Sequence, residues 1–210
     1  MTLSPAPHGG RRDSVTGVIL PFETKAQGFV GKDDVNNEDK GAWCKWGERA
    51  EMEFLNSIAP KYKLPVRMNP LKDKDKYATD FVNLNDTMDI DLKRRGTPFF
   101  LSKNYGYEPT YVVLVNHKDY LRYRYKYPDW GKRPMVILFW VTWDKQTRYE
   151  VTVDAMDGVW SLRLTKLDEW IRHGLIKCHE YKQRKDDAGT NAKHSWMIDL
   201  RLCKELKEKE

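Results

Sequence analysis

The sequence has few cysteines, no long apolar run and no glycine-rich phosphate-binding motif. Its three cysteines, Cys44, Cys178 and Cys203, form no C-x-x-C pair. This pattern argues against a disulfide framework or a cysteine zinc site, and it fits a reducing cytoplasm. No stretch approaches the roughly 18 apolar residues of a membrane-spanning helix, and the N-terminal segment has no apolar core of the signal-peptide type. The absence of GxxxxGK[ST] argues against a P-loop enzyme.

Composition favours a folded chain. Its 210 residues are 40% hydrophobic and 12% aromatic, with eight tryptophans, which is enough to form a full core. We expect a mobile or extended segment over residues 1–42 and a single domain over residues 43–202. Within that domain, residues 43–143 would form the core and residues 144–202 an elaboration. Residues 203–210 read as a charged tail.

The positive charge is concentrated in one part of the chain. There are 37 Lys and Arg residues against 31 Asp and Glu residues overall, but residues 61–133 alone hold 16 basic and 9 acidic ones. The rest of the chain is therefore slightly acidic. Such a basic region is typical of a protein that binds a phosphate backbone.

Two acidic residues are predicted to meet on one face of a β-hairpin. Residues 77–84 and 87–94 both read as strands, and Asn85-Asp86 suits a tight turn between them. This ladder places Asp80 opposite Asp91. Because side chains alternate along a strand, one face of the second strand is charged and the other apolar. The charged face carries Asp89, Asp91 and Lys93, and the apolar face carries Met88, Ile90 and Leu92.

Carboxylates paired across two strands need a positive partner. Their Cβ atoms lie roughly 5 Å apart and the charges repel each other. Mg²⁺ or Mn²⁺ meets this need, polarises a phosphodiester and acidifies a bound water. Lys93 would then contact the attacking water or a phosphate oxygen. The alternative is an exposed hairpin with an ordinary charged face.

A third acid lies on a predicted helix over residues 46–59, which Pro60 ends. Glu51 falls inside the apolar arc of this helix, Glu48 lies at its edge and Glu53 points away. The arc comprises Ala50, Phe54, Leu55 and Ile58. A carboxylate on a buried face needs a partner, which is either the hairpin metal or a salt bridge.

The order of these residues resembles the PD-(D/E)xK nuclease superfamily. The segment from Gly47 to Leu55 is similar to the G-x-x-A-E-x-E-x-L helix of archaeal Holliday-junction resolvases and of related phage and restriction nucleases. The chain departs from the commoner pattern in having Thr79 before Asp80, where many members have proline. It also has Asp91 where glutamate is more usual. The resemblance covers residues 43–116.

The resemblance implies a restriction-endonuclease-like α/β fold, with a mixed β-sheet flanked by helices. It implies a Mg²⁺-dependent DNA endonuclease, with Mn²⁺ as a substitute. In this interpretation Asp80, Asp91 and the main-chain carbonyl of Leu92 hold the metal. Glu51 binds a metal-coordinated water or a second ion, and Lys93 orients the nucleophilic water. The substrate would be double-stranded or branched DNA, and a phage-encoded enzyme would act in the host cytoplasm. A homodimer would suit double-strand cutting.

Basic residues near this motif are predicted to contact phosphates. Arg94 and Arg95 follow Lys93 directly, and residues 121–127 alternate tyrosines with Arg122, Arg124 and Lys126. This alternation would place phosphate contacts on one side and stacking surfaces on the other. The alternative is an edge strand or loop whose tyrosines pack and whose basic groups are solvated.

The second half of the chain is predicted to complete the sheet. Residues 110–116 and 134–143 read as central strands, residues 148–153 and 158–164 as a hairpin, and residues 167–173 as a helix ended by Gly174. Residues 195–202 alternate like a last strand. A rival function on the same fold is a non-catalytic nucleic-acid-binding protein, which keeps the basic surface and performs no chemistry.

Overall fold

A computed structural model describes residues 40–75, 77–126, 133–181 and 194–209, with the backbone alone described for residues 40–44 and 126. The predictions made for residues 1–39 lie outside this part of the chain. Its α-helices are α1 (Lys40–Glu53), α2 (His117–Lys126) and α3 (Leu164–Arg172). Its strands are β1 (Val66–Met68), β2 (Phe81–Asn83), β3 (Asp89–Arg95), β4 (Val112–Asn116), β5 (Met135–Trp143), β6 (Gln146–Arg148), β7 (Val151–Val153), β8 (Met156–Arg163), β9 (Cys178–Glu180), β10 (His194–Asp199) and β11 (Lys204–Leu206).

Six strands form the main sheet, in the order β1-β2-β3-β5-β8-β11. Strands β3 and β5 are parallel, and the other neighbours are antiparallel. A second sheet has the order β4-β10-β9, and β6 pairs with β7 alone. The mixed α/β fold with helices beside a mixed sheet confirms the predicted fold class and is consistent with a restriction-endonuclease-like fold.

The main sheet separates two apolar clusters, which explains why β5 is apolar along most of its length. On one face, Phe54 after α1 packs with Ile90, Leu92 and Trp140. On the other face, alternate residues of β5 pack with α2, α3 and the second sheet; the residues of β5 on this side are Met135, Ile137, Phe139, Val141 and Trp143. The alternation predicted for β3 is confirmed, because Ile90 and Leu92 belong to the first cluster.

The predicted register of the hairpin is also confirmed. Val82 lies opposite Asp89, and Phe81 opposite Ile90. The strands are shorter than predicted, and β2 begins only after Asp80. The turn is wider as well, since the side chain of Asn83 accepts hydrogen bonds from the backbone N–H groups of residues 87 and 88 at 2.8 and 2.9 Å.

The helix predicted over residues 46–59 begins earlier, at Lys40, and its last turn is a π-helix, Phe54–Ile58. Ala50 and Phe54 are buried as expected. Glu53, predicted to point away from the apolar arc, has a side chain that is 37% exposed. Its carboxylate accepts a hydrogen bond from Arg94 at 2.7 Å.

Both interpretations of the alternation in residues 121–127, two separate faces or an edge strand or loop, are wrong for residues 121–126, and residue 127 lies outside the described part of the chain. His117–Lys126 form α2, so the alternation of tyrosines and basic residues does not separate two faces. Tyr120 and Tyr123, three residues apart, are both buried, whereas Tyr125 is 74% exposed. Helical spacing, not strand alternation, decides which tyrosines pack.

Other long-range pairings also differ from the predictions. Strand β4 is an edge of the second sheet, not a central strand of the main one. Asp157 and Gly158 lie inside β8, which pairs with β5, so the hairpin predicted around them was wrong. Part of the predicted charged tail, Lys204–Leu206, pairs with β8 as the last strand. The helix end at Gly174 is confirmed by its positive φ of 64°.

Across the described ranges, no helix combines the length and apolar character needed to cross a membrane.

Candidate active site at the open edge of strand β3

The predicted site residues lie where β3 continues beyond its neighbour β2. Strand β2 pairs only with Asp89 and Ile90, whereas β5 pairs with the whole of β3. The backbone N–H of Leu92 is therefore free of strand pairing on the β2 side, and it donates to Oδ2 of Asp80 at 2.7 Å. The side chain of Asp80 thus replaces a strand partner just where β3 is uncovered.

The charged side chains at this edge form two groups, Glu51 with Lys72 and Asp91 with Lys93, and together they are called the β3-edge cluster. Asp80 connects the two groups. Its Oδ1 accepts a hydrogen bond from Nζ of Lys72 at 2.9 Å, and Lys72 also donates to Glu51. Burial raises the pKa of Asp80, and so does Glu51, while Lys72, Lys93 and the N–H of Leu92 oppose that rise. The pKa of Asp80 therefore depends on charged groups on both sides of the strand edge.

Glu51 projects from α1 toward this edge, as its position in the apolar arc predicts. It is partly buried and is paired with Lys72. The partner required by a buried carboxylate is thus a lysine of the chain. Glu51 joins the cluster through Lys72 and Asp80.

Asp91 lies on the opposite side of β3 from α1 and is only 4% exposed. Tyr123 of α2 donates a hydrogen bond to its Oδ1. Its Oδ2 lies 2.9 Å from Nζ of Lys93 but makes no hydrogen bond of good geometry. Burial raises the pKa of Asp91 to about 6, against the opposing effect of Lys93.

Lys93 is held from three directions. Besides Asp91, its ammonium contacts Oδ2 of Asp119 at 2.9 Å and the hydroxyl of Tyr123 at 3.3 Å. Burial lowers the pKa of Lys93, but Asp91, Tyr123 and Asp119 together raise it well above its usual value. The side chain is therefore a fixed cation near neutral pH.

Three contacts of these acids and of Lys93 were not predicted, those made by Lys72, Asp119 and Tyr123. Asp119 and Tyr123 are four residues apart on α2, so they lie on one face of the helix and reach the same lysine. A helical reading of residues 117–126 would have found them. Lys72 lies in a turn between Asn69 and Asp75, and local sequence patterns do not show where such a side chain points.

The arginines predicted to contact phosphates make intramolecular contacts. Arg94 is paired with Glu53 and lies over the ring of Trp140, 4.2 Å from its centroid. Arg95 is partly buried and donates to the carbonyl of Leu114. Both residues stabilise the packing around β3.

The basic residues of α2 differ in their surroundings. Arg122 contacts Asp119 at 3.3 Å and the hydroxyl of Tyr123 at 3.3 Å, so it borders the cluster. Arg124 is bound to Asp168, at 3.1 Å, away from it. The side chain of Lys126 lies outside the described part of the structure.

The acidic side chains do not form a ready-made metal centre. In the described ranges, no three Asp, Glu, His or Cys side chains lie together closely enough to hold a metal. Each predicted metal ligand instead has a lysine beside it: Lys72 between Glu51 and Asp80, and Lys93 beside Asp91. Two lysines of the chain, Lys72 and Lys93, therefore neutralise the carboxylates along the β3 edge.

We expect that removing the hydroxyl of Tyr123 changes the titration of Asp91. In Tyr123→Phe, the carboxylate loses a hydrogen bond that favours its charged form, so its pKa rises. A hydrogen bond to a charged group is worth about 1.5–3 kcal/mol, so the pKa of Asp91, followed by NMR of its carboxyl carbon, should rise by about one unit. The matched control is Tyr120→Phe, which removes a buried hydroxyl bonded to Asp168 at 2.6 Å. The same pKa of Asp91 in the two variants would contradict a role of Tyr123 in holding this carboxylate.

No protein-family model and no curated protein matches the chain. Among solved structures, a nuclease from a fusselovirus is similar, with a TM-score of 0.37 and 12% sequence identity. The match covers 78% of this chain and 81% of that one.

Proposed function

We propose that the protein is a Mg²⁺-dependent DNA endonuclease of the PD-(D/E)xK type. The observation that supports this most strongly is that Asp80 is bonded both to Lys72, the partner of Glu51, and to the backbone of β3 between Asp91 and Lys93. Glu51 comes from α1, Asp80 directly precedes β2, and Asp91 and Lys93 come from β3. Lys72 links Glu51 to Asp80, and the charge of Asp80 acts on both Asp91 and Lys93.

The donor chemistry of the site fits a hard divalent cation. Asp80, Asp91 and the carbonyl of Leu92 offer the oxygen ligands that Mg²⁺ and Mn²⁺ favour, and Oδ2 of Asp91 is a buried oxygen without a hydrogen bond. Glu51 would bind a water of the cation or a second ion. When bound, the cation would supply charge stabilisation at the phosphate and a more acidic water.

The chain's own contribution to the reaction comes mainly from Lys93. Asp119 and Tyr123 hold its ammonium in place, so little reorganisation is needed when charge develops on the phosphate. Lys93 orients the attacking water and stabilises the negative charge of the transition state. The carboxylate of Asp91 is held beside Lys93 because Tyr123 donates a hydrogen bond to one of its oxygens.

The proposed substrate is double-stranded or branched DNA. The basic excess of residues 61–133 provides attraction to the phosphate backbone. Arg122 borders the site and has a partly exposed side chain, which makes it the best placed of the predicted phosphate contacts. A homodimer would bring two such sites to the two strands of a duplex, and action in the cytoplasm fits the low cysteine content.

One observation favours the rival proposal of a non-catalytic nucleic-acid-binding protein. Glu51, Asp80 and Asp91 are each paired with a lysine of the chain, as expected for carboxylates that serve only to hold the fold. A protein of this kind would bind DNA with the same basic surface and leave it intact. Divalent-metal titration of cleavage separates the two proposals.

We expect the wild-type protein to nick or linearise supercoiled plasmid in Mg²⁺, and Asp80→Ala to be at least about a hundredfold slower. The loss follows because Asp80 is a proposed ligand and also binds Lys72 directly before β2 begins. Gel analysis of plasmid, linear and branched DNA over a range of Mg²⁺ concentrations would measure this. The matched control is Asp73→Ala in the preceding loop, since Asp73 is exposed. Cleavage by Asp80→Ala at the wild-type rate, or no cleavage by the wild type in any divalent metal, would reject the proposed enzyme.

A further inference from the structure

Lys72 is presented to the site by a well-ordered turn. The backbone N–H of Lys72 donates to the carbonyl of Asn69 at 3.0 Å, and the N–H of Asp75 donates to the carbonyl of Leu71 at 2.8 Å. Asn69 is buried and anchors the turn, because its N–H donates to the carbonyl of Asp80 at 3.0 Å. The turn is thereby attached to the residue that Lys72 also contacts through its side chain.

The ammonium of Lys72 bridges two carboxylates from different segments. It lies 2.9 Å from Oδ1 of Asp80 and donates to Oε2 of Glu51. All three side chains are largely shielded from water, with exposed fractions of 22% for Lys72, 13% for Glu51 and 15% for Asp80. Burial lowers the pKa of Lys72, but Asp80 and Glu51 outweigh this and raise it, so the ammonium stays charged.

This bridge and a divalent cation compete for the same oxygens. Without a positive charge between them, Glu51 and Asp80 repel each other, which is evident in the effect of Glu51 on the pKa of Asp80. A cation that binds both carboxylates would meet the ammonium at the same place, and two positive charges there would repel strongly. One must leave before the other can bind both acids.

We propose that Lys72 is a resident counter-ion of the metal site, which a divalent cation displaces from Glu51 and Asp80. This inference rests on the proposed function, because it takes these two acids as cation ligands. Lys72 holds the ligands in place while no metal is bound, and it raises the metal concentration needed to fill the site. It is thus a residue that sets the metal affinity of the protein.

The test compares Mn²⁺ binding by the wild type, Lys72→Met and Lys74→Met in the absence of DNA. Electron paramagnetic resonance of free Mn²⁺ gives the dissociation constant directly. Because one competing charge is removed, Lys72→Met should bind about tenfold more tightly than the wild type. Lys74→Met makes the same substitution at an exposed lysine of the same turn, and it should bind like the wild type.

Thermal unfolding provides a second measurement. Lys72→Met leaves two acids without their cation, so its melting temperature should be lower than that of the wild type without metal. Mg²⁺ should then raise the melting temperature of Lys72→Met more than that of the wild type. The reason is that a ligand stabilises a folded protein more when it binds that protein more tightly. A lysine with a merely structural role would show the first effect without the second. Lys72→Gln, which keeps hydrogen-bond donors but no charge, gives the same comparison if the methionine variant folds poorly.

The outcomes separate this inference from the proposed function. Tighter Mn²⁺ binding by Lys72→Met and Lys72→Gln, with Lys74→Met unchanged, supports displacement. Equal Mn²⁺ affinities for all four proteins would overturn the inference and leave the nuclease proposal intact. No Mn²⁺ binding by any of them would overturn both the inference and the metal site.

Discussion

Lys93→Met is expected to lower the rate of Mg²⁺-dependent DNA cleavage by about a thousandfold. Loss of one preorganised hydrogen-bond donor that stabilises the charge of the transition state typically has an effect of this size. Methionine keeps the length and apolar stem of the side chain but removes its charge and donors. The ammonium is fixed between Asp91 and Asp119, at 2.9 Å from each.

DNA binding should change little in the same variant. The side chain of Lys93 is only 15% exposed, so it adds little to the attraction of the basic surface for phosphates. Fluorescence anisotropy with labelled duplex, without divalent metal, measures this separately from cleavage. Lys145→Met, at a lysine that is 68% exposed and paired with Asp154, is the control for loss of one charge. A Lys93→Met protein that is folded and cuts at the wild-type rate would exclude this amine from the reaction.

The sequence was sufficient to predict the hairpin register because two local signals agree. The alternation of apolar and charged residues along β3 fixes which face packs, and the short connection fixes which residues lie opposite each other. Val82 opposite Asp89 follows from both. The same register predicts Asp80 opposite Asp91, but Asp80 lies before the strand and contacts the backbone of Leu92 through its side chain.

The nature of the α2 segment was harder to predict. Tyrosine and arginine alternate with period two over residues 121–125, which favours a strand, while the buried positions have helical spacing. The packing of Tyr120 and Tyr123 against β5 decides in favour of the helix. Because the assignment was wrong, Tyr123 was taken for a DNA-stacking residue when it is the partner of Asp91.

Contacts between distant segments were not predictable from a single sequence. Lys72 and Glu51 are 21 residues apart, and Lys93 and Asp119 are 26 apart. Neither separation matches a helix or strand period that would indicate a contact between the two residues. A carboxylate in an apolar arc indicates that some partner exists, as it did for Glu51, but only the fold identifies the partner as a lysine from a turn.

The buried carboxylate of Asp91, taken by itself, weakens the fold above about pH 6. Asp91 is buried and its pKa is raised to about 6 from an ordinary value of 3.8, so the folded protein binds this proton more tightly than the unfolded chain does. Above about pH 6 the ionised carboxylate therefore reduces the free energy of unfolding, and below about pH 4, where both states are protonated, the reduction disappears.

Asp91→Asn is accordingly expected to abolish cleavage and to stabilise the protein above pH 6. Asparagine has nearly the same shape and carries no charge, and Lys93 keeps Asp119 as its partner. The pKa shift of about two units corresponds to a gain of up to about 3 kcal/mol in the free energy of unfolding at pH 8, which should shrink between pH 6 and pH 4. Urea unfolding at pH 8, 6 and 4 measures the gain, with Asp157→Asn at an exposed position of β8 as control. If Asp91→Asn were less stable than the wild type at pH 8, the carboxylate would be a structural ion pair. A more stable and inactive variant would show that Asp91 is kept for chemistry at the expense of the fold.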